Sequence, residues 1–206
     1  RMSVEVVAPG MKKYLAEFLG TFGLTLAVLI SLKSLFPAVP TAITAALTVG
    51  LFVYTIGHIS GTHLNPAITL AIASLRKISF KDGAIYILAQ FLGGGAAFLF
   101  VSQFFGGIPP LPVANTLNVG MAELVGTFFF AFGVAAVVYE RVSSGFKGLV
   151  VGGSLLLGIL VAAAGSNGIL NPAVAFGVGS LSWMYMFSPI LGAIFGMWVF
   201  RMLSEI

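Results

Sequence analysis

The sequence predicts an all-α membrane protein in which six transmembrane helices and two re-entrant half-helices form an inverted internal repeat. Three observations support this fold class. Of the 206 residues, 59% are hydrophobic and only 8% are charged, whereas soluble domains have about 25% charged residues. Apolar runs long enough to cross a bilayer recur along the chain. Two Asn-Pro-Ala motifs follow glycine-rich stretches in the two halves.

Each apolar run is bounded by charges or by Pro and Gly, and about 20 residues suffice to cross a bilayer as a helix. The first run contains Glu17 and continues without a cleavage site, so we expect it to stay as a span rather than to be removed as a signal peptide. The six predicted spans cover residues 12–32, 41–59, 83–103, 118–139, 147–164 and 183–203.

Composition also excludes several classes of function. The chain has no cysteine, so it forms neither a disulfide framework nor a thiolate metal site. The sequence contains no phosphate-binding GxxxxGK[ST] loop, and nothing in it indicates a Ser-His-Asp or paired-carboxylate arrangement. We therefore expect no enzymatic activity, no cofactor and no bound metal. The net charge of +4 is explained by basic residues beside the spans, so nucleic acid is not an expected partner.

The two halves of the chain repeat one pattern. The stretch AEFLGTF at residues 16–22 is echoed by AELVGTF at residues 122–128, and the two LNPA tetrads have the same offset of 106 residues. A weaker echo relates AQFLG at residues 89–93 to SPILG at residues 188–192. The repeats cover about 12–103 and 118–206 within one channel domain, 1–206. Each holds three spans, so the second copy is expected to have the opposite orientation in the membrane.

The distribution of basic residues supports this topology. Nine of the ten Lys and Arg residues lie in the termini or in loops after even-numbered spans, and only Lys33 lies on the other side. Cytoplasmic loops carry the excess of Lys and Arg, so both termini are expected to be cytoplasmic. Arg76, Lys77 and Lys81 are assigned mainly to this topogenic role, with contact to anionic lipid as the alternative.

The two Asn-Pro-Ala motifs predict helix starts inside the membrane. Asn is a favoured N-cap and Pro is suited to the first helical position. About eight to ten helix-compatible residues follow each motif, which is too few to span a bilayer. Such half-helices, preceded by irregular backbone, are tolerated only against protein or a water-filled cavity. The motif residues are Asn65, Pro66 and Ala67 in the first half and Asn171, Pro172 and Ala173 in the second.

In an inverted repeat the two Asn-Pro ends meet near the middle of the membrane. Each helix end carries about +0.5 charge, so together they repel cations and hydronium. Asn65 and Asn171 can donate hydrogen bonds to a passing oxygen atom, and unpaired carbonyls before each motif can accept them. The expected carbonyls belong to Gly61, Thr62, His63, Asn167, Gly168 and Ile169. The pattern predicts a narrow pore for uncharged solutes.

These motifs, in this order, resemble the aquaporin and aquaglyceroporin family, the major intrinsic proteins. AEFLGTF, AELVGTF, GHISGTHLNPA, AQFLGG, ILNPA and SPILGA carry the resemblance over nearly the whole chain. It implies a right-handed bundle of six tilted helices and two half-helices, with one pore in each protomer of a homotetramer. It also implies passive conduction of water or small neutral solutes.

The resemblance assigns the selectivity filter to Ala45, Ile159, Gly168 and Val174. Water-selective members have Phe, His, a small residue and Arg at these positions, whereas all four residues are apolar here. The first three resemble nodulin-like members, and NPAVAFG resembles the small basic intrinsic proteins. We expect a channel for water and glycerol-sized neutral solutes. The alternatives are a poorly conducting structural or junctional membrane protein of the same fold, an ion channel, or a channel for urea, ammonia or metalloid acids.

Buried acids and histidines near the motifs are expected to brace the loops. Glu17 and Glu123 lie inside spans, where a proton relay is the alternative to accepting hydrogen bonds from loop N–H groups. His58 and His63 flank a glycine-rich turn, and as a metal pair they lack a third ligand nearby. Loop bracing is therefore expected for both His58 and His63, with a pH gate as the alternative. The cell membrane is the expected location, with an intracellular membrane such as the endoplasmic reticulum as the alternative.

Overall fold

The computed structural model describes residues 9–33 and 39–205, and within these ranges the regular structure is entirely helical. Six helices are long and two are short. The long helices are α1 (Pro9–Leu32), α2 (Thr41–Ser60), α4 (Phe80–Phe105), α5 (Leu117–Val138), α6 (Lys147–Ala162) and α8 (Trp183–Leu203). The short helices are α3 (Pro66–Ser74) and α7 (Pro172–Gly177), and a single 3₁₀ turn, Ser144–Phe146, precedes α6.

The six long helices are apolar enough to cross a membrane, with mean hydropathy between 1.6 and 2.0 over their best windows. This confirms the predicted fold class, and each predicted span agrees with the observed helix to within three residues at either end. The chain is thus an integral, multi-pass membrane protein. Long apolar side chains such as Leu47 and Leu99, which are 67% and 66% exposed, lie on the outer surface of the bundle, where lipid is the solvent.

The two short helices start where the motifs predict, but one is shorter than expected. Helix α3 has nine residues and α7 only six, so the prediction of eight to ten residues is wrong for α7. Helix α7 stops because Gly179 adopts a φ of +71°. The Gly179 N–H then donates to the Phe176 carbonyl (3.1 Å) and the Ser180 N–H to the Ala175 carbonyl (2.8 Å), which closes the last turn as a Schellman motif.

The two halves of the chain interlock. Helix α1 packs on α4 and α5 on α8 within the halves, while α2 packs on α6 between them. The half-helices cross over, because α3 packs on α8 and α7 packs on α4. Helix α3, in the first half of the chain, therefore packs partly on the second half, and helix α7 packs partly on the first half. This interlocking brings the N-termini of α3 and α7 together.

Close approach of the helices depends on small residues, as is usual in membrane bundles. A Cβ atom at Gly192 or Gly196 of α8 would overlap the carbonyl oxygens of Leu124 and Phe128 on α5. Gly153 of α6 offers a contrast, since a Cβ there would meet nothing within 4 Å. The glycines on α8 are thus required by packing, whereas Gly153 is not.

We expect Gly192→Ala to lower the free energy of unfolding by about 1–3 kcal/mol, because the added methyl group must push α5 away from α8. Gly153→Ala is the matched control and should be neutral or stabilising by about 0.5–1 kcal/mol, since it only removes backbone freedom from an exposed helix position. Thermal unfolding of the purified variants in detergent measures both. Equal midpoints for the two variants would contradict the packing described for α5 and α8.

Candidate pore and selectivity site

A buried carboxylate holds the irregular segment before α3. Glu17 of α1 is fully buried. One of its oxygens accepts hydrogen bonds from the Ser60 hydroxyl (2.7 Å) and the His63 N–H (2.9 Å), and the other accepts from the Leu64 N–H (2.7 Å). Backbone donors that no helix satisfies are thus paired inside an apolar bundle, where an unpaired donor is costly.

The second half of the chain repeats this arrangement. Glu123 of α5 is also fully buried. It accepts from the Ser166 hydroxyl (2.7 Å), the Ile169 N–H (3.0 Å) and the Leu170 N–H (2.7 Å). Every partner is displaced by 106 residues from its counterpart in the first half. Both carboxylates therefore accept hydrogen bonds from the loop that precedes a half-helix.

The two loops differ in their remaining polar contacts. In the first half the Gln90 amide donates to Glu17 (2.8 Å) and to the Thr69 hydroxyl (2.9 Å), and that hydroxyl also contacts His63 Nδ1 (3.2 Å). In the second half the residue that corresponds to Gln90 is Pro189, which has no side-chain donor. The loop before α7 is held instead through Asn167, whose backbone N–H donates to the Tyr185 hydroxyl (2.9 Å) and whose side-chain amide donates to the Pro112 carbonyl (2.8 Å).

Both loops contain residues in the left-handed backbone region. Thr62 and Leu64 have φ values of +53° and +50°, and the corresponding Gly168 and Leu170 have +62° and +56°. A non-glycine residue in this region costs about 1–3 kcal/mol, so the surrounding contacts must stabilise it. Ser60 Oγ, which itself donates to Glu17, accepts from the Thr62 N–H at 3.1 Å. The strained backbone is therefore held by the same hydrogen bonds as the loop.

The two motif asparagines join the half-helices to each other. Each Oδ1 atom caps its own helix, accepting the N–H of Ala67 (2.8 Å) or of Ala173 (3.0 Å). Each Nδ2 atom donates to a carbonyl of the opposite loop: Asn65 to Leu170 and Asn171 to Leu64, both at 2.8 Å. Since a carboxamide nitrogen carries two hydrogens, one N–H of each asparagine is left for a solute.

Two cavities adjoin at this point. The first, which we call the filter cavity, has a volume of about 130 Å³ and is lined by Asn65, Asn171 and all four expected filter residues. The second, which we call the basic cavity, has a volume of about 680 Å³ and is lined by Lys77, Lys147 and Glu140 among others. Three residues line both cavities: Val49, His63 and Phe130.

The filter cavity brings together residues from four separate segments. Ala45 lies on α2, Ile159 on α6, Gly168 in the second loop and Val174 on α7. A Cβ atom at Gly168 would lie 3.0 Å from the Ile159 carbonyl oxygen, and its φ of +62° also disfavours a side chain. Of these four positions, Gly168 is therefore the one that the fold keeps small.

The six residues that carry the expected pore carbonyls are divided between the two cavities. Asn167, Gly168 and Ile169 line the filter cavity, Gly61 and Thr62 line the basic cavity, and His63 lines both. Within residues 9–33 and 39–205, none of the six carbonyl oxygens accepts a hydrogen bond from the protein. They are available as acceptors for a solute.

His58 does not brace the loop, contrary to expectation. Its side chain is exposed on the wall of the basic cavity, and it makes no hydrogen bond to any part of the chain that the structure describes. The last turn of α2 carries His58 outward, while Ser60, two residues later, faces Glu17. His63, by contrast, contacts Thr69 and packs edge-to-face on Tyr86, with 5.1 Å between ring centroids.

Sequence reasoning missed several walls of the filter cavity. Leu24, Val28 and Leu32 of α1 line it, as does Leu111 of the segment between α4 and α5. The three α1 residues are spaced four apart, the spacing of one helix face, but an apolar stripe of this kind does not distinguish a cavity wall from a packed core. The sequence signal for these additional walls was the small side chain of Ala45, which leaves room for a neighbouring helix to line the filter cavity.

Comparisons with known proteins agree with this architecture. The family model described as major intrinsic protein matches residues 4–200. The chain is 31% identical to aquaporin NIP1-1 of Arabidopsis thaliana, covering 96% of this chain and 75% of that protein. It is 33% identical to nodulin-26 of Glycine max, covering 95% and 79%. The crystal structure of the aquaglyceroporin from Plasmodium falciparum has the same fold, with a TM-score of 0.66, 21% identity and 95% coverage of both chains.

The loop contacts predict what neutralising each acid should do. In Glu17→Gln or Glu123→Gln, one carboxylate oxygen becomes an NH₂ group that faces a backbone N–H. We expect a loss of about 1–3 kcal/mol of stability, the cost of leaving a buried donor unpaired. Glu140→Gln is the control, because Glu140 is exposed and has no ion pair within the described ranges. Thermal unfolding in detergent measures the loss, and three equal midpoints would contradict loop bracing.

Proposed function

Since the chain belongs to the major intrinsic protein family, whose members are membrane channels for water and small solutes and not enzymes, we propose that it passively conducts water and glycerol-sized neutral solutes. The observation that carries the proposal is the pair of asparagines between the two half-helices. Each has its oxygen bound to its own helix and one N–H bound to the opposite loop. The remaining N–H groups, from Asn65 and Asn171, give a passing oxygen atom two donors at one level of the pore.

Exclusion of cations follows from the same geometry. The N-termini of α3 and α7 face each other, and each carries a partial positive charge. A cation at this level would be repelled by both helix ends and would find donors where it needs acceptors. A water molecule held by both asparagines accepts their hydrogen bonds and points its own hydrogens away from the pair, which interrupts a proton relay. Neutral solutes with hydroxyl or amide groups meet no such barrier.

The four filter residues support an apolar filter that is wider than one built from Phe, His and Arg side chains. Ala45, Ile159, Gly168 and Val174 contribute no charge and no side-chain donor, so a solute meets apolar walls and the backbone carbonyls. A carbon-bearing solute such as glycerol can place its hydroxyls on the carbonyls and its carbons on the apolar side chains. Urea, ammonia and metalloid acids are further neutral candidates, which the permeability assay below distinguishes.

One observation favours a second candidate function. The filter cavity is small, at about 130 Å³, and most of its walls are apolar. Water leaves a narrow apolar constriction readily, and such a constriction conducts poorly. A structural or junctional membrane protein of the same fold would have this property. The paired asparagines favour conduction, because a structural protein has no need of free donors inside the bundle.

The proposal includes one channel domain over residues 1–206, assembled as a homotetramer with both termini on the cytoplasmic side. The interlocked packing of the two halves supports a single domain. The basic residues support the orientation, because Lys77 and Lys147 border the basic cavity while Lys33 lies at the opposite end of α1 from Lys13. In this orientation the basic cavity opens to the cytoplasm, and we propose a cell membrane as the location.

The proposal predicts a rapid volume change of proteoliposomes after an osmotic step, followed by stopped-flow light scattering. The permeabilities to water, glycerol and urea are measured in separate experiments. Water and glycerol rates should exceed those of empty liposomes, while a proton-sensitive dye trapped inside should report no added leak. Rates equal to those of empty liposomes for every solute would contradict the channel proposal and favour the structural protein. A current in planar bilayers would instead indicate an ion channel.

We expect Val174→Arg to lower glycerol permeability more than water permeability, because a long guanidinium side chain narrows the filter cavity and adds donors. Val174→Leu is the matched control: it adds bulk without charge and should change the ratio less. Both are measured in the same proteoliposome assay at equal protein content. A glycerol-to-water ratio unchanged in the arginine variant would show that residue 174 does not line the constriction.

A further inference from the structure

The chain between α4 and α5, residues 106–116, contributes a wall to the filter cavity, and we call it the connecting segment. Leu111 lines the cavity together with the four expected filter residues. Leu111 and Ile108 are half-buried and pack against the main core, whereas residues 112–116 are exposed. Leu111 is therefore the residue through which the connecting segment reaches the filter.

Two hydrogen bonds fix Leu111 against the second half-helix. The Ser180 hydroxyl donates to the Leu111 carbonyl at 3.0 Å, and the Asn167 side-chain amide donates to the Pro112 carbonyl at 2.8 Å. Ser180 is fully buried and follows α7, while Asn167 precedes it. Two consecutive carbonyls of the connecting segment are thus bonded to residues on either side of the helix that carries Val174.

The start of the connecting segment is tied to the first half of the chain. Gly106 and Gly107 have φ values of +76° and +71°, which turn the backbone after α4. The Lys33 ammonium, at the end of α1, donates to the carbonyls of Phe105 and Gly107. None of the bonds that hold the segment uses the Leu111 side chain, so that side chain can be exchanged without removing them.

The Leu111 side chain is large in relation to the space that it borders. The filter cavity has a volume of about 130 Å³, and Ala45 and Gly168 leave two of its walls small. Exchange of leucine for alanine removes three carbon atoms, and a core that relaxes only partly keeps most of that space open. The diameter of a pore is one of the properties that decide which neutral solutes pass. The bulk of Leu111 is therefore placed where it can limit solute size.

We propose that Leu111 is a specificity-determining residue of this channel and that Asn167 and Ser180 position it. This inference rests on the proposed function and names the side chain that sets the upper size of a neutral solute. Leu111 offers no hydrogen bond, so it acts by bulk: it excludes longer polyols and leaves water little affected. A residue that only covers the bundle would have no influence on relative permeabilities.

The test compares water, glycerol and the four-carbon polyol erythritol in proteoliposomes at equal protein content. Leu111→Ala should raise the ratio of erythritol to water permeability about ten-fold, the scale of discrimination that a few carbon atoms give in an apolar site. Val113→Ala is the matched control, because Val113 belongs to the same segment, is 40% exposed and does not line the filter cavity. It should keep the parent ratio.

Leu111→Phe should act in the opposite direction and lower the ratio of glycerol to water permeability, which keeps the inference testable if the alanine variant does not fold. Parent ratios in the Leu111 variants that fold, or an equal change in Val113→Ala, would overturn the inference while leaving the channel function intact. A parent no faster than empty liposomes would instead contradict the proposed function itself, and the inference with it.

The positioning role of Asn167 is tested by combining substitutions. Asn167→Asp keeps the size of the side chain but turns a carboxylate oxygen toward the Pro112 carbonyl, so it should release Leu111 and raise the ratio of erythritol to water permeability. If Asn167 acts through Leu111, the double variant with Leu111→Ala should have the same ratio as Leu111→Ala alone. Two independent increases that multiply in the double variant would overturn the positioning role.

Discussion

Backbone that is neither helix nor strand can occupy the centre of an apolar bundle only when its N–H groups find acceptors. In this protein two buried carboxylates supply them. Glu17 and Glu123 each accept two consecutive backbone N–H groups and one serine hydroxyl. These contacts hold the left-handed residues of both loops, and the loop residues line the two cavities. The course of the pore therefore depends on two acids that do not line either cavity.

The second feature that shapes the pore is the orientation of the two asparagines, Asn65 and Asn171. A carboxamide presents its N–H group to a solute in a fixed direction when its oxygen is hydrogen-bonded elsewhere. In this protein the backbone N–H groups at the N-termini of α3 and α7 donate to that oxygen. The cross-links to Leu64 and Leu170 then fix the distance between the two half-helices. The donors are thus oriented before a solute arrives, so a passing molecule does not have to order them.

Much of this architecture could be predicted from the sequence, because its signals are local. Spans follow from apolar length, and the half-helix starts follow from the capping preference of Asn65 and Asn171. The length of α7 could not be predicted, since it depends on Gly179 adopting a left-handed conformation within an otherwise apolar run. The position of His58 depends on which way the last turn of α2 faces. The walls contributed by α1 and Leu111 depend on packing between segments far apart in the chain, which periodicity does not encode.

Gly168 determines how the pore can change. Its left-handed conformation and the nearby Ile159 carbonyl disfavour a side chain at this position, so this wall of the filter tends to stay small. Ala45 and Val174 lie on helices, and neither has a left-handed backbone that disfavours a side chain. A lineage of related channels could therefore acquire new substrates by exchanging two helix residues while its loops stayed the same. Solute selectivity can therefore change in this fold while the loop residues that stabilise it stay the same.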